Sequence, residues 1–170
     1  LAFQGYAKVY PTVIKGRKKR TDFYLKDRSK FLEQLVYEIR LQEKRAIKKN
    51  KRAVVRLNGF TDIDWDKPEN YIDGQSVFEI FPDVIFYDYT ADAEKVRQNR
   101  HANLHLTFSY KGNNDKEMVE IIKRGVNVAV IDYPSNKDKW FNKLPVIDGD
   151  KHDFRFLDAE ASIVLLKEKK

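Results

Sequence analysis

The sequence predicts an α/β protein on a mostly parallel sheet with crossover helices, either a partial β/α barrel or an open sheet, with antiparallel edge strands added at the C-terminal end. Three observations carry this. Short runs of β-branched and aromatic residues recur along the chain, each bounded by turn formers. Segments with helical spacing of apolar residues fall between them. The resulting order, strand then helix then strand, implies parallel strands joined by crossovers. Four such strands are too few for a complete eight-stranded barrel.

Taken in order, residues 1–14 read as an extended or irregular lead-in, and residues 15–27 as a basic loop or short helix. A helix is expected to begin near Asp27 or Ser29, either of which can cap it. Phe31, Leu32, Leu35, Val36 and Ile39 then share one face at spacings of three and four. The period changes at Ala53. The expected strands are Ala53–Asn58, Val84–Tyr89, Leu104–Ser109 and Val126–Ile131, buried runs of the kind a sheet covered on both faces requires. Helices are expected at Gln75–Phe81, closed by Pro82, at Asp92–Asn99, and at Asp115–Lys123, where Gly125 is a stop signal. In the tail, Pro145–Asp150 and Phe154–Leu157 flank a turn, and Ser162–Leu166 is a last strand. The chain of 170 residues is of a size for a single domain: a basic lead-in and first helix over 1–52, βα repeats over 53–133, and edge strands over 134–170.

Composition limits the function classes. Phe and Tyr number 11 and 9, which supplies large buried areas and argues against intrinsic disorder. There is no cysteine, so a disulfide scaffold and a cysteine-ligated zinc or iron–sulfur site are excluded. No apolar run approaches the roughly 18–20 residues of a spanning helix, so no membrane partner is expected. No charged n-region precedes an apolar stretch, and the expected compartment is the cytoplasm. Leu1 is not an initiator Met, and Phe3-Gln4-Gly5 partly resembles the scar of a tag protease, so the sequence reads as cleaved or as a fragment.

The formal net charge is +7, and its distribution says more than its sum. Residues 1–52 hold 16 Lys/Arg against 5 Asp/Glu, a net of +11, while residues 53–170 hold 17 against 21, a net of −4. The excess concentrates in Lys15, Arg17, Lys18, Lys19 and Arg20, and in Lys44, Arg45, Lys48, Lys49, Lys51 and Arg52. Clusters of this kind suit a polyphosphate, because each neutralised phosphate releases counterions. Arg17, Lys18, Lys19, Arg20, Lys48 and Lys49 are the candidate nucleic-acid contacts. The bland alternative is a solvated lysine-rich surface.

In parallel α/β sheets the ligand lies outside the carboxyl ends of the strands. Polar residues collect there: Arg56, Asn58 and Asp62 after the first strand, Tyr87, Asp88 and Tyr89 in the second, His105, Thr107 and Ser109 in the third, and Asp132 and Tyr133 after the fourth. A buried polar group needs a partner, which is either a ligand or an internal network. His105 is the candidate general base, as His101 and His152 fall in expected loops. Asp62, Asp64 and Asp66 alternate, and Asp148, Asp150, His152 and Asp153 form a second acidic group. Both read first as turns in which aspartates satisfy the backbone, with a divalent cation held by oxygen ligands as the alternative, Asp148 and Asp150 being its ligands in the second group. Arg155 is expected to pair with an aspartate of that group or to bind a ligand.

The segments VVRLNGFTDIDW (54–65), FPDVIFYDYT (81–90), NLHLTFSY (103–110), GVNVAVI (125–131) and PVIDGDKHDFRFLD (145–158) resemble a phage-encoded "gene product" family of partial-barrel look. With the basic lead-in, the resemblance spans nearly the whole chain. It implies a shared rim site at Arg56, Asn58, Asp62, Trp65, Tyr87, Asp88, Tyr89, His105, Thr107, Ser109, Asp148, Gly149, Asp150, Asp153 and Arg155, and assigns no activity. Relatives with cysteines near the start hint at a metal or iron–sulfur cluster. This chain departs from them, with Gln4 standing about where a cysteine is expected, and its tail carries Ala159-Glu160-Ala161 and Leu165-Leu166 in place of a more glycine-rich ending.

Two functions follow as expectations. One is a phage accessory protein in the infected bacterial host that binds or acts on a nucleotide or nucleic acid. In it the basic first third holds phosphates, Asp62, Asp88 and His105 supply acid–base or metal chemistry, and Arg56, Asn58, Tyr87, Thr107, Ser109 and Arg155 bind. The other is a non-catalytic protein that engages a host factor through exposed aromatics such as Tyr71, Trp140 and Phe141. Whether the protein is an enzyme is left open.

Overall fold

A computed structural model describes residues 11–59, 61–131 and 144–167. It is an α/β structure with a six-stranded parallel sheet in the order β1-β2-β3-β4-β6-β5, open and without barrel closure. The strands are β1 (Val54–Val55), β2 (Ile85–Thr90), β3 (Leu104–Ser109), β4 (Val128–Ile131), β5 (Val146–Asp148) and β6 (Ile163–Leu166). The helices are α1 (Pro11–Lys26), α2 (Arg28–Ile47), α3 (Val77–Ile80), α4 (Ala93–Gln98) and α5 (Asp115–Lys123). The chain forms two compact units, Leu1–Phe86 and Tyr87–Lys170, with the boundary inside β2.

In the first unit, α1 takes in the end of what reads as an extended lead-in and the basic segment expected as a loop or short helix, which is helical. Pro11 is its first residue, where a missing N–H costs nothing and the fixed φ suits a helix. Asp27 separates α1 from α2 and accepts the amide of Lys30 at 3.3 Å, an N-cap. Leu32 and Ile39 are buried on the inward face of α2. A capping box starts α3, with the Ser76 amide donating to Glu79 Oε2 at 2.8 Å and the Glu79 amide to Ser76 Oγ at 3.4 Å. Phe78 then meets Phe86 edge to face at 5.1 Å. β1 pairs in parallel with the start of β2, Val54 with Ile85 and Val55 with Phe86.

In the second unit, β3 pairs with β4, β4 with β6 and β6 with β5, all in parallel. Ala93 and Val96 of α4 and Met118, Ile121 and Ile122 of α5 pack with Phe108, Val128, Val130 and Ile163 into one core. Gly125, at φ +88°, ends α5 as expected. Its amide donates to Ile122 O at 3.0 Å and that of Val126 to Ile121 O at 3.3 Å, a Schellman closure.

The tail requires a correction. β5 and β6 are parallel, not antiparallel, and Phe154–Leu157 is not a strand: Arg155–Leu157 is a 3-10 turn. The reason lies in the connection. The chain does not reverse at Gly149-Asp150 as a hairpin would. It leaves the edge, places the 3-10 turn against β3, and returns so that β6 enters beside β5 in the same direction. The fourteen residues between Asp148 and Ile163 are of the length a parallel crossover needs.

Candidate functional site

In the first unit the residues after β1 form a loop organised by two buried asparagines. Asn58 Oδ1 accepts from Thr61 Oγ1 at 2.7 Å, from the Ile63 amide at 3.1 Å and from Trp65 Nε1 at 3.1 Å, and Asn58 Nδ2 donates to Ile63 O at 2.8 Å. Asn70 Nδ2 donates to Asp64 O at 2.7 Å, and Tyr24 donates its hydroxyl to Asn70 Oδ1 at 2.7 Å. Trp65 is buried beneath Tyr24 and Phe31, its centroids 6.0 and 6.4 Å from theirs. The loop polarity noted in the sequence is thus spent on the loop itself, and Asn58, a candidate binding residue, serves as its organiser. Asp62 is exposed, Arg56 half-buried. Asp64 accepts the Asp66 amide at 3.2 Å, and the Tyr71 hydroxyl donates to Asp66 O at 3.0 Å and Oδ1 at 3.2 Å, the turn chemistry that alternating aspartates offer. Tyr71, a candidate exposed anchor, is half-buried and bonded. A cavity of about 330 Å³ lies in this unit between the start of α2 and the turn after Pro68–Asn70, lined by Arg28, Ser29, Leu32, Glu33, Glu69, Tyr71, Ile72 and Asp73. The Arg28 guanidinium stacks over the Tyr24 ring at 4.8 Å.

The basic side chains divide by position. On α1, Lys15, Lys18, Lys19 and Arg20 are exposed and Arg17 is half-buried; Lys44, Arg45, Lys48 and Lys49 at the end of α2 are all exposed.

In the second unit the residues of β2 and β3 sort by parity. Phe108, with Leu106 beside it, faces the α4–α5 core. The other face of β3 carries His105, exposed, Thr107, 2% exposed, and Ser109, half-buried. Tyr87 and Tyr89 of β2 lie on this second face, and the tail crosses it. Tyr87 donates its hydroxyl to Asp153 Oδ2 at 3.1 Å and Tyr89 donates to Asp153 Oδ1 at 3.3 Å. The rings of Tyr87 and Phe156 lie 5.9 Å apart, those of His105 and Phe156 5.8 Å, and those of Phe154 and Phe156 5.7 Å. His152 stacks on Phe154 at 6.5 Å.

Behind this aromatic group Arg155 is buried, with its Nε 3.2 Å from Asp158 Oδ2 and its Nη2 bonded to the His152 carbonyl. Arg155 therefore pairs with an aspartate, as expected, but with Asp158, outside the acidic group read from the sequence. Its burial is tolerable because a carboxylate, itself 4% exposed, neutralises it. The Nη1 nitrogen has no hydrogen-bond partner among the described residues.

Alternation brings some candidates together and parts others. Tyr87, His105, Thr107 and Arg155 belong to one face and its cover. Asp88, buried between Tyr87 and Tyr89, points to the opposite face and caps the Tyr89 amide at 2.9 Å. The sheet therefore separates Asp88 from His105. Asp148 Oδ1 accepts the Asp150 amide at 3.0 Å and serves the turn, while Asp150 Oδ2 accepts the Lys167 amide at 3.0 Å and ties the turn to the residue after β6. Among the described residues no group of three His, Asp or Glu side chains is placed to hold a metal ion. Asp132, Tyr133, Trp140 and Phe141 lie outside the described residues. Sequence reasoning missed Phe154, Phe156 and Asp158, and missed that Asp153 is the anchor of the tail. Tyr87-x-Tyr89, two hydroxyls on one face of a strand, was the available signal.

No helix of the described residues is long and apolar enough to cross a membrane. No curated protein and no solved structure matches the chain. A family model does, that of Gene product 88, from residue 1 to residue 170, and the chain accordingly belongs to this family of phage gene products.

Proposed function

We propose that this phage protein binds nucleic acid through the exposed basic side chains of α1 and of the end of α2, in the cytoplasm of the infected bacterial host. One observation supports the reading above others. α1 has six basic residues against one acidic residue, Asp22, and Lys15, Lys18, Lys19 and Arg20 stand exposed along it. Charges this close on a helix repel one another, and a phosphate backbone relieves that repulsion while releasing counterions. Binding rather than turnover is proposed because the sheet parts the carboxylate and the histidine that acid–base chemistry would pair.

The test is the affinity of the whole protein for labelled oligonucleotides, measured by fluorescence anisotropy across a salt series. The Lys18→Ala, Lys19→Ala, Arg20→Ala triple variant is expected to bind more weakly to every sequence, and to lower the slope of log affinity against log salt by roughly 2–3. Wild-type protein that binds neither DNA nor RNA at low salt, yet recovers one host protein, overturns the reading in favour of a host-factor binder.

A further inference from the structure

We infer that the cavity between the start of α2 and the turn after Pro68–Asn70 binds a free α-amino acid with a cationic side chain, of the lysine class. The inference is independent of the nucleic-acid reading above and goes beyond it. At about 330 Å³ the cavity is of a size for a small ligand. Its lining carries charges of both signs that do not neutralise one another. Arg28 shares the wall with Glu33, Glu69 and Asp73. Among the described residues no ion pair joins Arg28 to any of the three, and its Nε is buried without a hydrogen-bond partner. The carboxylates are exposed and Arg28 is half-buried, so a ligand reaches them from solvent. The wall is also set in advance. The Arg28 guanidinium stacks over Tyr24 at 4.8 Å, and Tyr24 is held by its bond to buried Asn70 and by the rings of Phe31 and Trp65. Asp73 sits in a two-residue turn, at φ +51° with Gly74 at φ +80°, closed by the Ile72 amide on Gln75 O at 2.9 Å and the Gln75 amide on Ile72 O at 3.0 Å. Groups fixed in this way lose little entropy when a ligand arrives.

The charges decide which ligand suits the cavity. One guanidinium stands against three carboxylates, so a nucleotide or another polyanion is repelled. A divalent metal ion needs its carboxylates to converge, and among the described residues no three His, Asp or Glu side chains do. A plain diamine satisfies carboxylates and leaves Arg28 facing a like charge. An α-amino acid with a second amine answers each group in turn. Its carboxylate accepts from the Arg28 guanidinium, and its two ammonium groups donate to the carboxylates of Glu33, Glu69 and Asp73. Its methylene stem lies along Leu32, which is buried, and Ile72, which is half-buried.

The experiment titrates the whole protein calorimetrically with L-lysine and three analogues, each lacking one charge. Norleucine lacks the side-chain ammonium, cadaverine the carboxylate, and Nα-acetyl-lysine the α-ammonium. Lysine is expected to bind, and each analogue to bind about tenfold or more weakly, the loss that goes with one charge-assisted hydrogen bond. Arg28→Gln and Asp73→Asn are each expected to weaken lysine by a similar factor, and Asn keeps the Asp73 turn because it tolerates a positive φ. Wild-type protein that gives no heat with lysine at about 10 mM overturns the site, as does unchanged lysine affinity in both variants. Norleucine equal to lysine overturns the cationic side chain. Cadaverine equal to lysine overturns the amino acid in favour of a polyamine, and Nα-acetyl-lysine equal to lysine overturns it in favour of the end of a peptide. These arms are read on wild-type protein, so they stand even if a variant fails to fold, and none depends on whether the protein binds nucleic acid.

Discussion

Tyr110 shows how one side chain records its surroundings in a measurable way. Its hydroxyl donates to the Asp115 carboxylate at 2.6 Å, and this bond, with burial and the carboxylate charge behind it, raises the phenol pKa to about 12. An unfolded tyrosine ionises near about 10, so the folded protein holds this proton more tightly. The stability so gained is complete below about pH 10 and is lost as pH rises through about 12. Wild type and Tyr110→Phe, compared by urea unfolding between pH 9 and 12, should therefore differ most at the low end and converge at the high end. A difference that stays constant across this range would mean that the hydroxyl contributes through packing alone. At this scale the sequence was informative about type and silent about partner. That Asn58 and Arg155 needed partners followed from their place in apolar segments. That the partners are Trp65 and Asp158 did not, because a loop's own hydrogen bonds depend on where it turns. Asp88 and His105 were grouped because each lies in a strand, whereas their separation depends on how neighbouring strands align, which one strand read alone does not reveal.

Elements were legible where local chemistry decides them. α5 starts and stops where its period and Gly125 require, and α2 begins after Asp27. β1, expected over six residues, has two, because Asn58 draws the chain into its loop. Arg97 ties α4 to α5 through a bidentate pair with Glu120, at 2.9 and 2.5 Å, and that guanidinium, first among the causes, holds the Glu120 carboxyl below the usual carboxylate range. The parallel tail was the least legible element, since its direction is set by contacts far away in sequence. Gly149 exposes how tightly it fits. A Cβ there would stand 2.6 Å from Leu166 Cδ2, 2.7 Å from Val164 Cγ1 and 2.9 Å from Leu165 O, and the Gly149 amide donates to that same carbonyl at 2.8 Å. One of those neighbours is backbone and cannot swing aside, so β5 would have to retreat from β6. Gly149→Ala should destabilise by about 1–3 kcal/mol, the usual cost of overpacking, read as a lower urea midpoint. An unchanged midpoint would show that the edge strand moves freely.

For the molecule as a whole, the charge division between residues 1–52 and the remainder separates two explanations of nucleic-acid affinity. If net charge alone drives binding, any three lysines are equivalent. If the basic helices make the contacts, position decides. Lys111, Lys116 and Lys123 are exposed and lie in the second unit, two of them on α5, whereas Lys18, Lys19 and Arg20 are exposed on α1. Changing either trio to a neutral residue takes the formal charge from +7 to +4, so the long-range attraction falls equally. At physiological salt the Debye length is about 8 Å, so on the proposed reading the side chains that touch phosphates dominate the affinity. The Lys111→Gln, Lys116→Gln, Lys123→Gln variant should therefore keep its affinity within about twofold and its salt slope unchanged, while the α1 variant loses both. The comparison belongs at physiological salt, because at low salt the screening length grows and the two variants converge. Equal weakening of both at physiological salt would assign the attraction to the field of the whole molecule, and α1 would then be one contributor among many.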